Sequence, residues 1–276
     1  MILCNFERDS VVNAGLVEGS QILDLQELKL ERSPNCIDSL IQSDMFSLIS
    51  SGPAKQDLPR IPVENVKLLP PVINPPKVFN LGLVFVEHVE GRKHEYPRYP
   101  VVSMKPTTSL IGHESDILLP RIAPNLVSCA VELCLVMGKK ARHVTKSQAM
   151  DCIAGYTVFN DVVARIPGTE PPTNKIFDTF APTGPFMVTT EEIQDPSNLR
   201  LTLKINGDIK EEGNTKDMIF DIPHIVSFIS DILTLQPGDL IATGEPGFST
   251  ETLHEGDVVE AEVQKVGILR NRAKYE

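Results

Sequence analysis

The chain has 276 residues, of which 41% are hydrophobic and 23% are charged, a balance typical of a folded globular protein. Its formal net charge of −11 argues against nucleic acid or an anionic membrane as the main partner, since both require a basic surface. No apolar run reaches the length of a membrane span and the first residues do not resemble a signal peptide, so we expect a cytoplasmic protein.

The first 70 residues predict a small, β-rich N-terminal domain. Residues 13–15 offer a turn, and residues 16–25 suggest a β-hairpin. Residues 37–49 carry apolar side chains near helical spacing, which predicts one helix or two short ones. The proline-rich run 69–76 is stiff and poor in secondary structure, so we place a domain boundary near residue 70.

Residues 71–276 predict a second domain that is mainly β with few helices. Short apolar segments separated by Gly, Pro, Asn and Asp dominate this part of the chain. The clearest helix covers residues 222–233, and residues 145–148 match a capping box that would open a short helix. Residues 200–206 alternate with period two, and Asn206–Gly207 is a strong signal for a hairpin turn.

The cysteines give no sign of a disulfide framework or a zinc site. Their number, five, is odd, and no two have Cys-x-x-Cys spacing, so reduced thiols in the protein core explain them best. Cys129 lies close to the acidic residues described next. Nothing obvious in the sequence would lower its pKa, so we expect a structural thiol.

Two acidic residues stand inside apolar segments of the second domain. Glu132 lies within residues 128–138 and Asp161 within residues 153–165, both rich in Val, Leu and Ile. An ionised carboxylate in such a segment must be paired, hydrogen-bonded or bound to a cation, because burying it alone is strongly unfavourable. The alternative is that Glu132 lies on a solvated strand face and Asp161 caps a turn.

The segments around these two acids resemble the fumarylacetoacetate hydrolase family, whose members carry a Glu-x-Glu strand followed by an Asn-Asp-x-x-Ala-Arg turn. The resemblance continues in order through residues 105–106, 178–185, 206–207, 214–220, 235–244, 256–257 and 267–272. It implies a mixed β-sandwich roll over residues 71–276, preceded by the small N-terminal domain. It also implies a homodimer that acts on a small-molecule substrate.

The family resemblance further implies a divalent cation, Mg²⁺ or Mn²⁺, held by three carboxylates and able to stabilise an enolate. Strand residues i and i+2 point to the same face, so a Glu-x-Glu strand presents two oxygen ligands, and the Asn-Asp turn adds the third. In this chain Glu132 and Asp161 match two ligand positions, whereas Ala130 occupies the first. We therefore expect a weakened metal site or none.

Further site residues follow from the same resemblance. His88 matches the catalytic histidine, a base suited to neutral pH, and Glu90 is a candidate to support it. Lys175 matches the active-site lysine, which could pair with both carboxylates if no metal binds. The expected substrate contacts are Arg165, Lys105, Phe85, Thr243 and Glu245. Glu245 stands where the family usually has a neutral residue, so it is also a candidate to replace the carboxylate missing at Ala130. For His88 a structural role, and for Glu245 an exposed loop position, remain the alternatives.

Residues 91–100 correspond to a family segment that orders over the substrate as a lid, the alternative being a solvated loop. Several family positions differ here, since Val84, Phe85, Gly91 and Gly168 replace more polar residues. These differences make the expected cavity less polar than is usual for family hydrolysis.

Two functional hypotheses therefore stay open. The first is an enzyme that acts on a 1,3-dicarbonyl or 2-keto acid through an enolate, by C–C hydrolysis, decarboxylation or isomerisation. Its variant is a metal-independent cyclase, isomerase or dehydratase of a specialised biosynthetic pathway. The second is a non-catalytic relative that keeps only the scaffold. The retained charged residues favour an enzyme, because unused charges in a buried cavity would destabilise the fold.

Overall fold

The computed structural model describes residues 1–28, 36–43, 49, 58–91, 93–169, 172–247 and 251–276. Within these residues the chain is mainly β, as expected. The α-helices that the structure describes are Ile37–Ser43 (α1), Val86–Gly91 (α2), Lys146–Ala149 (α3) and Ile222–Ile232 (α4). None of them has the length and apolar character needed to cross a membrane.

The strands of the first half of the chain are Ile2–Arg8 (β1), Val11–Glu18 (β2), Gln21–Asp24 (β3), Arg60–Pro62 (β4), Lys67–Leu69 (β5), Val78–Gly82 (β6), Val101–Lys105 (β7), Leu110–Ile111 (β8), Asp116–Leu119 (β9), Val127–Ser128 (β10) and Val131–Met137 (β11). Those of the second half are Ile153–Asn160 (β12), Val163–Ala164 (β13), Ala181–Thr189 (β14), Arg200–Ile205 (β15), Asp208–Asn214 (β16), Leu240–Ala242 (β17), Val258–Val263 (β18) and Gly267–Tyr275 (β19).

Among the described residues, two large open sheets and a two-stranded sheet, β10-β13, form the architecture. The larger has the order β4-β3-β2-β1-β14-β12-β11-β17-β6-β7, with β5 added on β1 and β8 on β14. The smaller has the order β16-β15-β18-β19-β9, and its strands β18 and β19 contact β11, β12 and β14 of the larger sheet. One apolar cluster includes side chains of both sheets, so the main core lies between them. This arrangement confirms the expected mixed β fold.

Strand β11 is buried along its whole length. It pairs with β12 on one side and with β17 on the other, and the smaller sheet covers it. The sequence of a strand in such a position is a continuous apolar run, because neither of its faces is exposed to solvent. Glu132 is the charged exception in this run, which is why its environment matters for function.

The N-terminal strands continue the larger sheet. β1 pairs with β14 in the register Ile2↔Val188 and Leu3↔Met187, so backbone hydrogen bonds cross the boundary expected near residue 70. A second apolar cluster contains Leu3 together with Cys134 and hence spans both parts of the chain. The division into residues 1–70 and 71–276 stays a prediction.

The turn predicted at residues 13–15 is wrong. These residues lie inside β2, and the chain reverses at Asp9 and Ser10, whose φ angles are +52° and +63°. Gly15 serves close packing instead, since a Cβ at this position would lie 2.3 Å from Ile22 Cγ2. The hairpin expected just after it is present as β2 and β3.

Three other local predictions are confirmed. Asn206 and Gly207, with φ angles of +53° and +85°, join β15 to β16 in a tight turn. A capping box opens α3. Helix α4 begins after Asp221, whose side chain accepts a hydrogen bond from His224 N at 2.7 Å. Of the helix expected over residues 37–49, α1 covers the beginning, and residues 44–48 lie outside the described residues.

Candidate active site

Neighbouring strands of the larger sheet bring polar groups to one place. Asp161 follows the last residue of β12, Glu132 lies near the start of β11, and these two strands are antiparallel neighbours. Gly244 follows β17, Asn80 lies in β6, and Lys105 ends β7. Strands β12, β11, β17 and β6 are consecutive in the sheet, so Asp161, Glu132, Gly244 and Asn80 lie near one another, and the Lys105 side chain reaches Asp161 from β7.

Asp161 is buried between two ammonium groups. Lys105 Nζ lies 2.7 Å from Oδ1, and Lys175 Nζ donates a hydrogen bond to Oδ2. Burial alone would raise the pKa of Asp161, but the two lysines outweigh it and hold this pKa at about 2. Asp161 is therefore ionised and paired, as its apolar sequence context requires.

Lys105 supports Asp161 from inside the protein. Its Nζ also donates to the backbone carbonyls of Val162, at 2.8 Å, and of Phe180. Burial lowers the pKa of Lys105 to about 8, and the attraction of Asp161 acts against this shift. All of its donors point into the protein, so Lys105 holds the carboxylate in place.

Glu132 is only 1% exposed and is held by N–H donors. Asn80 Nδ2 donates to its Oε1 at 3.1 Å, and the backbone N–H of Gly244 donates to its Oε2 at 2.8 Å. Burial, followed by the charge of Asp161, raises the pKa of Glu132 well above its ordinary value. Glu132 is thus satisfied by hydrogen bonds rather than exposed on a strand face.

Asn80 connects the two acids. Its Oδ1 accepts a hydrogen bond from Lys175 Nζ while its Nδ2 donates to Glu132. The expected direct pairing of Lys175 with both carboxylates therefore holds for Asp161, and Asn80 bridges to Glu132. Sequence reasoning missed Asn80, although a buried amide within the apolar strand β6 is a usable signal.

The donor groups do not fit the three-carboxylate metal site that the resemblance implies. Among the described residues, no group of three or more His, Cys, Asp or Glu side chains could hold a metal ion. Each carboxylate oxygen of Glu132 and Asp161 already contacts an N–H or ammonium group. Ala130, buried at the first ligand position, offers no oxygen ligand from its side chain.

His88 pairs with Glu245. His88 lies in α2 and is nearly buried, and its Nδ1 is 3.1 Å from Glu245 Oε1. The Glu245 side chain is 13% exposed, so this residue is not the exposed loop glutamate of the alternative hypothesis. Glu90, expected to support His88, is exposed and accepts a hydrogen bond from Tyr96 Oη at 2.8 Å. The structure thus places Glu245, not Glu90, beside the imidazole.

A cavity of about 600 Å³ brings several of these groups together. The predicted site residues that line it are His88, Asp161, Arg165, Lys175 and Glu245. Arg165 is oriented by a hydrogen bond from its Nε to Ser128 Oγ at 2.9 Å. His94, from the segment expected to form a lid, also lines the cavity, whereas Arg92 of that segment lies outside the described residues.

Three predicted substrate contacts do not line this cavity. Phe85 is 1% exposed and belongs to the main apolar core. Thr243 is buried, and its Oγ1 donates to the carbonyl of Leu133 at 2.9 Å. Lys105 lies behind Asp161. These side chains support the site from within the fold, because each is already engaged by the core or by buried partners.

Glu211 is a buried acid that sequence reasoning missed. It lies in β16, is 5% exposed, and accepts hydrogen bonds from the N–H groups of Gly247, at 2.9 Å, and Val131, at 3.4 Å. Burial, followed by the charge of Glu245, raises the pKa of Glu211 to about 8. Its strand is rich in polar residues, so no pattern distinguished this glutamate from its solvated neighbours.

Four of the five cysteines are buried, as expected for core thiols, whereas Cys36 is half-buried. All five are free thiols. Cys129 is buried near the site, and burial, with the charge of Glu211 as the next cause, raises its thiol pKa far above the ordinary value. A thiol in this state is a poor nucleophile.

Comparison with known proteins places the chain in a family. Residues 77–274 match the model described as fumarylacetoacetate (FAA) hydrolase C-terminal. An uncharacterized protein of Archaeoglobus fulgidus is 43% identical over 216 residues, covering 77% of this chain and 84% of that protein. The mitochondrial oxaloacetate tautomerase Fahd2a of Rattus norvegicus is 31% identical over 264 residues, covering 92% of this chain and 84% of that protein.

One solved structure is similar to this protein over the whole length of the chain. Maleylpyruvate hydrolase from Sphingobium sp. SYK-6, in complex with manganese(II) ion and pyruvate, is similar with a TM-score of 0.85 and 29% identity. The match covers 100% of this chain and 99% of that one. The chain therefore belongs to the fumarylacetoacetate hydrolase family and is an enzyme of the hydrolase, isomerase or tautomerase type found there.

Proposed function

We propose that the protein shifts a proton between carbon and oxygen of a small 2-oxo dicarboxylic acid, that is, it interconverts keto and enol forms. The observation that carries this proposal is the shared cavity: the His88–Glu245 pair lines it together with Lys175 and Arg165. A cavity of about 600 Å³ suits a small ligand. One relative is named an oxaloacetate tautomerase, and another was solved with pyruvate.

His88 acts as the base. When Nδ1, which lies 3.1 Å from Glu245 Oε1, carries the ring proton, Nε2 keeps its lone pair and can accept a proton from carbon. It takes the proton from C3 of the 2-oxo acid while the C2 carbonyl becomes an enolate. The enolate oxygen then takes a proton from solvent, and His88 returns its proton to solvent, so the net reaction is a proton shift.

Lys175 stabilises the negative charge of the enolate. Burial would lower its pKa, but the charges of Asp161 and Glu132 outweigh this effect and raise the pKa above the ordinary value. Lys175 therefore remains an ammonium ion at neutral pH and serves as a fixed positive charge. Arg165, which lines the same cavity, is suited to bind a substrate carboxylate through its guanidinium group. No step requires a metal ion.

Hydrolysis of a C–C bond is the second candidate, because one solved relative that matches the full chain is a maleylpyruvate hydrolase. Hydrolysis and tautomerisation share an enolate, stabilised by the same ammonium group. They differ in whether a carbon–carbon bond breaks. A product analysis therefore separates them directly.

The test follows the enol form of oxaloacetate and of related 2-oxo acids by ultraviolet absorbance, with product analysis by mass spectrometry. We expect His88→Asn and Lys175→Met each to lower turnover by about 10²-fold with the fold intact. Glu245→Gln should lower it by about 10-fold, whereas Glu90→Gln should change it less than about twofold. This pair compares the glutamate beside His88 with the surface one.

Unchanged turnover in both His88→Asn and Lys175→Met would exclude this mechanism. Two fragments instead of one rearranged product would favour hydrolysis. If the folded wild-type protein converts none of these acids, with or without added Mg²⁺ or Mn²⁺, the proposed function is wrong. The cyclase, dehydratase and non-catalytic hypotheses would then be favoured.

A further inference from the structure

We infer that Glu211 is a positioning residue that fixes the loop of residues 243–247 and thereby holds Glu245 against His88. This inference rests on the function proposed for the His88–Glu245 pair. It concerns a side chain that does not line the cavity and that no sequence motif indicated.

Buried carboxylates hold the 243–247 loop on both sides of Glu245. The N–H of Gly244, one residue before, donates to Glu132 Oε2 at 2.8 Å. The N–H of Gly247, two residues after, donates to Glu211 Oε1 at 2.9 Å. Glu245 is thus carried by a short segment whose two ends are tied to separate acids, which restricts where its side chain can point.

Close packing brings β16 directly against this loop. A Cβ on Gly213 would lie 2.2 Å from Pro246 Cβ, and a Cβ on Gly247 would lie 3.0 Å from Glu211 Cγ. Gly213 therefore needs to be glycine for the loop and the strand to approach this closely, and a Cβ at Gly247 would require the Glu211 side chain to shift by a few tenths of an ångström. Glu211 is the side chain that uses this approach to form a hydrogen bond.

The second oxygen of Glu211 ties the loop to the larger sheet. Its Oε2 accepts from the N–H of Val131, the first residue of β11, at 3.4 Å. Glu132, which holds Gly244, is the next residue of the same strand. Both acids that fasten the loop thus meet at the start of β11, although Glu211 itself belongs to the smaller sheet.

The protonation of Glu211 suits this role. Burial raises its pKa, and the charges of Glu245 and Asp161 add to the shift, so the surroundings of Glu211 favour its protonated form. A neutral acid accepts the N–H of Gly247 through its carbonyl oxygen without setting a second negative charge beside Glu245. Glutamine is uncharged and keeps a carbonyl acceptor for the Gly247 N–H at 2.9 Å. It loses only the longer contact of 3.4 Å with the Val131 N–H, where its Nε2 would stand, so it is the conservative substitute.

The test compares Glu211→Ala, Glu211→Gln and the matched control Glu212→Ala, in which the exposed neighbouring glutamate of β16 is removed. Hydrogen exchange at the amides of Gly244 and Gly247 reports the loop, and the NMR signals of the His88 ring report the base. Turnover and KM for the 2-oxo acid are measured alongside. The first two measurements do not depend on any substrate.

In Glu211→Ala we expect faster exchange of the Gly247 amide, by about 10-fold or more, with Gly244 unchanged. The His88 ring signals should shift, and turnover should fall about 10-fold with KM changed less than about twofold. Glu211→Gln should restore most of each quantity. Glu212→Ala should match the wild type in all of them.

The inference is overturned if the Gly247 amide exchanges faster in Glu211→Ala while the His88 signals and turnover stay unchanged, because Glu211 would then be merely structural. Equal losses in the alanine and glutamine variants would also overturn it. If Glu211→Ala does not fold, Glu211→Gln decides: retained Gly247 protection and turnover support the inference, and their loss overturns it. A wild type without activity refutes the proposed function, yet the exchange and His88 measurements still test the positioning role.

Discussion

Ala130 changes the charge balance of the whole site. It lies buried beside Glu132, and its carbonyl accepts a hydrogen bond from Asp161 N at 2.9 Å. A carboxylate at this position would join two further acids, giving a site that needs a divalent cation. Without it, the ammonium groups of Lys105 and Lys175 neutralise Asp161 directly.

Restoring the third carboxylate should strengthen the binding of Mg²⁺ and Mn²⁺. We expect isothermal calorimetry to show weak or no binding to the wild type, and an affinity for Ala130→Glu at least about 10-fold higher. Ala130→Gln, which has similar size and no charge, should behave like the wild type. Tight wild-type binding that Asp161→Asn abolishes would show instead that two carboxylates suffice.

The sequence allowed some of these residues to be predicted and hid others. Glu132 and Asp161 stood out because a charge inside an apolar strand needs a partner, and both have one. Glu211 did not stand out, since its strand lies at a sheet edge and is largely polar. Its burial depends on a loop more than thirty residues later in the chain, which no local pattern records.

Strand β12 depends on a glycine for its pairing with β14. A Cβ on Gly155 would lie 2.5 Å from the carbonyl oxygen of Val188. Val188 pairs with Tyr156 in the same ladder, so this backbone carbonyl cannot move away without disturbing the sheet. The need for glycine here arises from the approach of two strands, not from a turn.

We expect Gly155→Ala to lower the free energy of unfolding by about 1–3 kcal/mol, measured by urea denaturation. Gly91→Ala is the control, because a Cβ at that position would meet no atom within 4 Å. A similar loss of stability in both variants would mean that the contact with Val188 is not the cause.

Turns were predictable where a single dipeptide determines the backbone, as Asn206–Gly207 does. The same reasoning failed at residues 13–15, where Gly15 is required by Ile22 on the neighbouring strand. Elements whose form is set by their own residues could therefore be read from the sequence. Those set by a neighbouring strand could not.

At the scale of the whole molecule, the larger sheet joins the N-terminal strands to the site. β1 pairs with β14, and Leu3 shares an apolar cluster with Cys134 and Val136 of β11. Removing residues 1–70 would expose the edge of β14 and part of the core beneath β11. The small N-terminal segment is therefore expected to be needed for the stability of the rest.

A chain of residues 71–276 should lose cooperative thermal unfolding, measured by circular dichroism, and should aggregate on size exclusion. A truncated chain whose Tm lies within about 5 °C of the full-length value would instead establish residues 71–276 as an independent domain. The homodimer implied by the family resemblance stays a prediction, and the full-length chain is the form in which to examine it.

The fastening of the 243–247 loop has a further consequence. Glu132 belongs to the larger sheet and Glu211 to the smaller. The segment that carries Glu245 is therefore hydrogen-bonded to both sheets. A shift of one sheet relative to the other by a few tenths of an ångström, too small to break a strand, would change the 3.1 Å distance between Glu245 Oε1 and His88 Nδ1. In the mechanism proposed for His88, turnover should therefore respond to smaller changes in the packing of the two sheets than the secondary structure does.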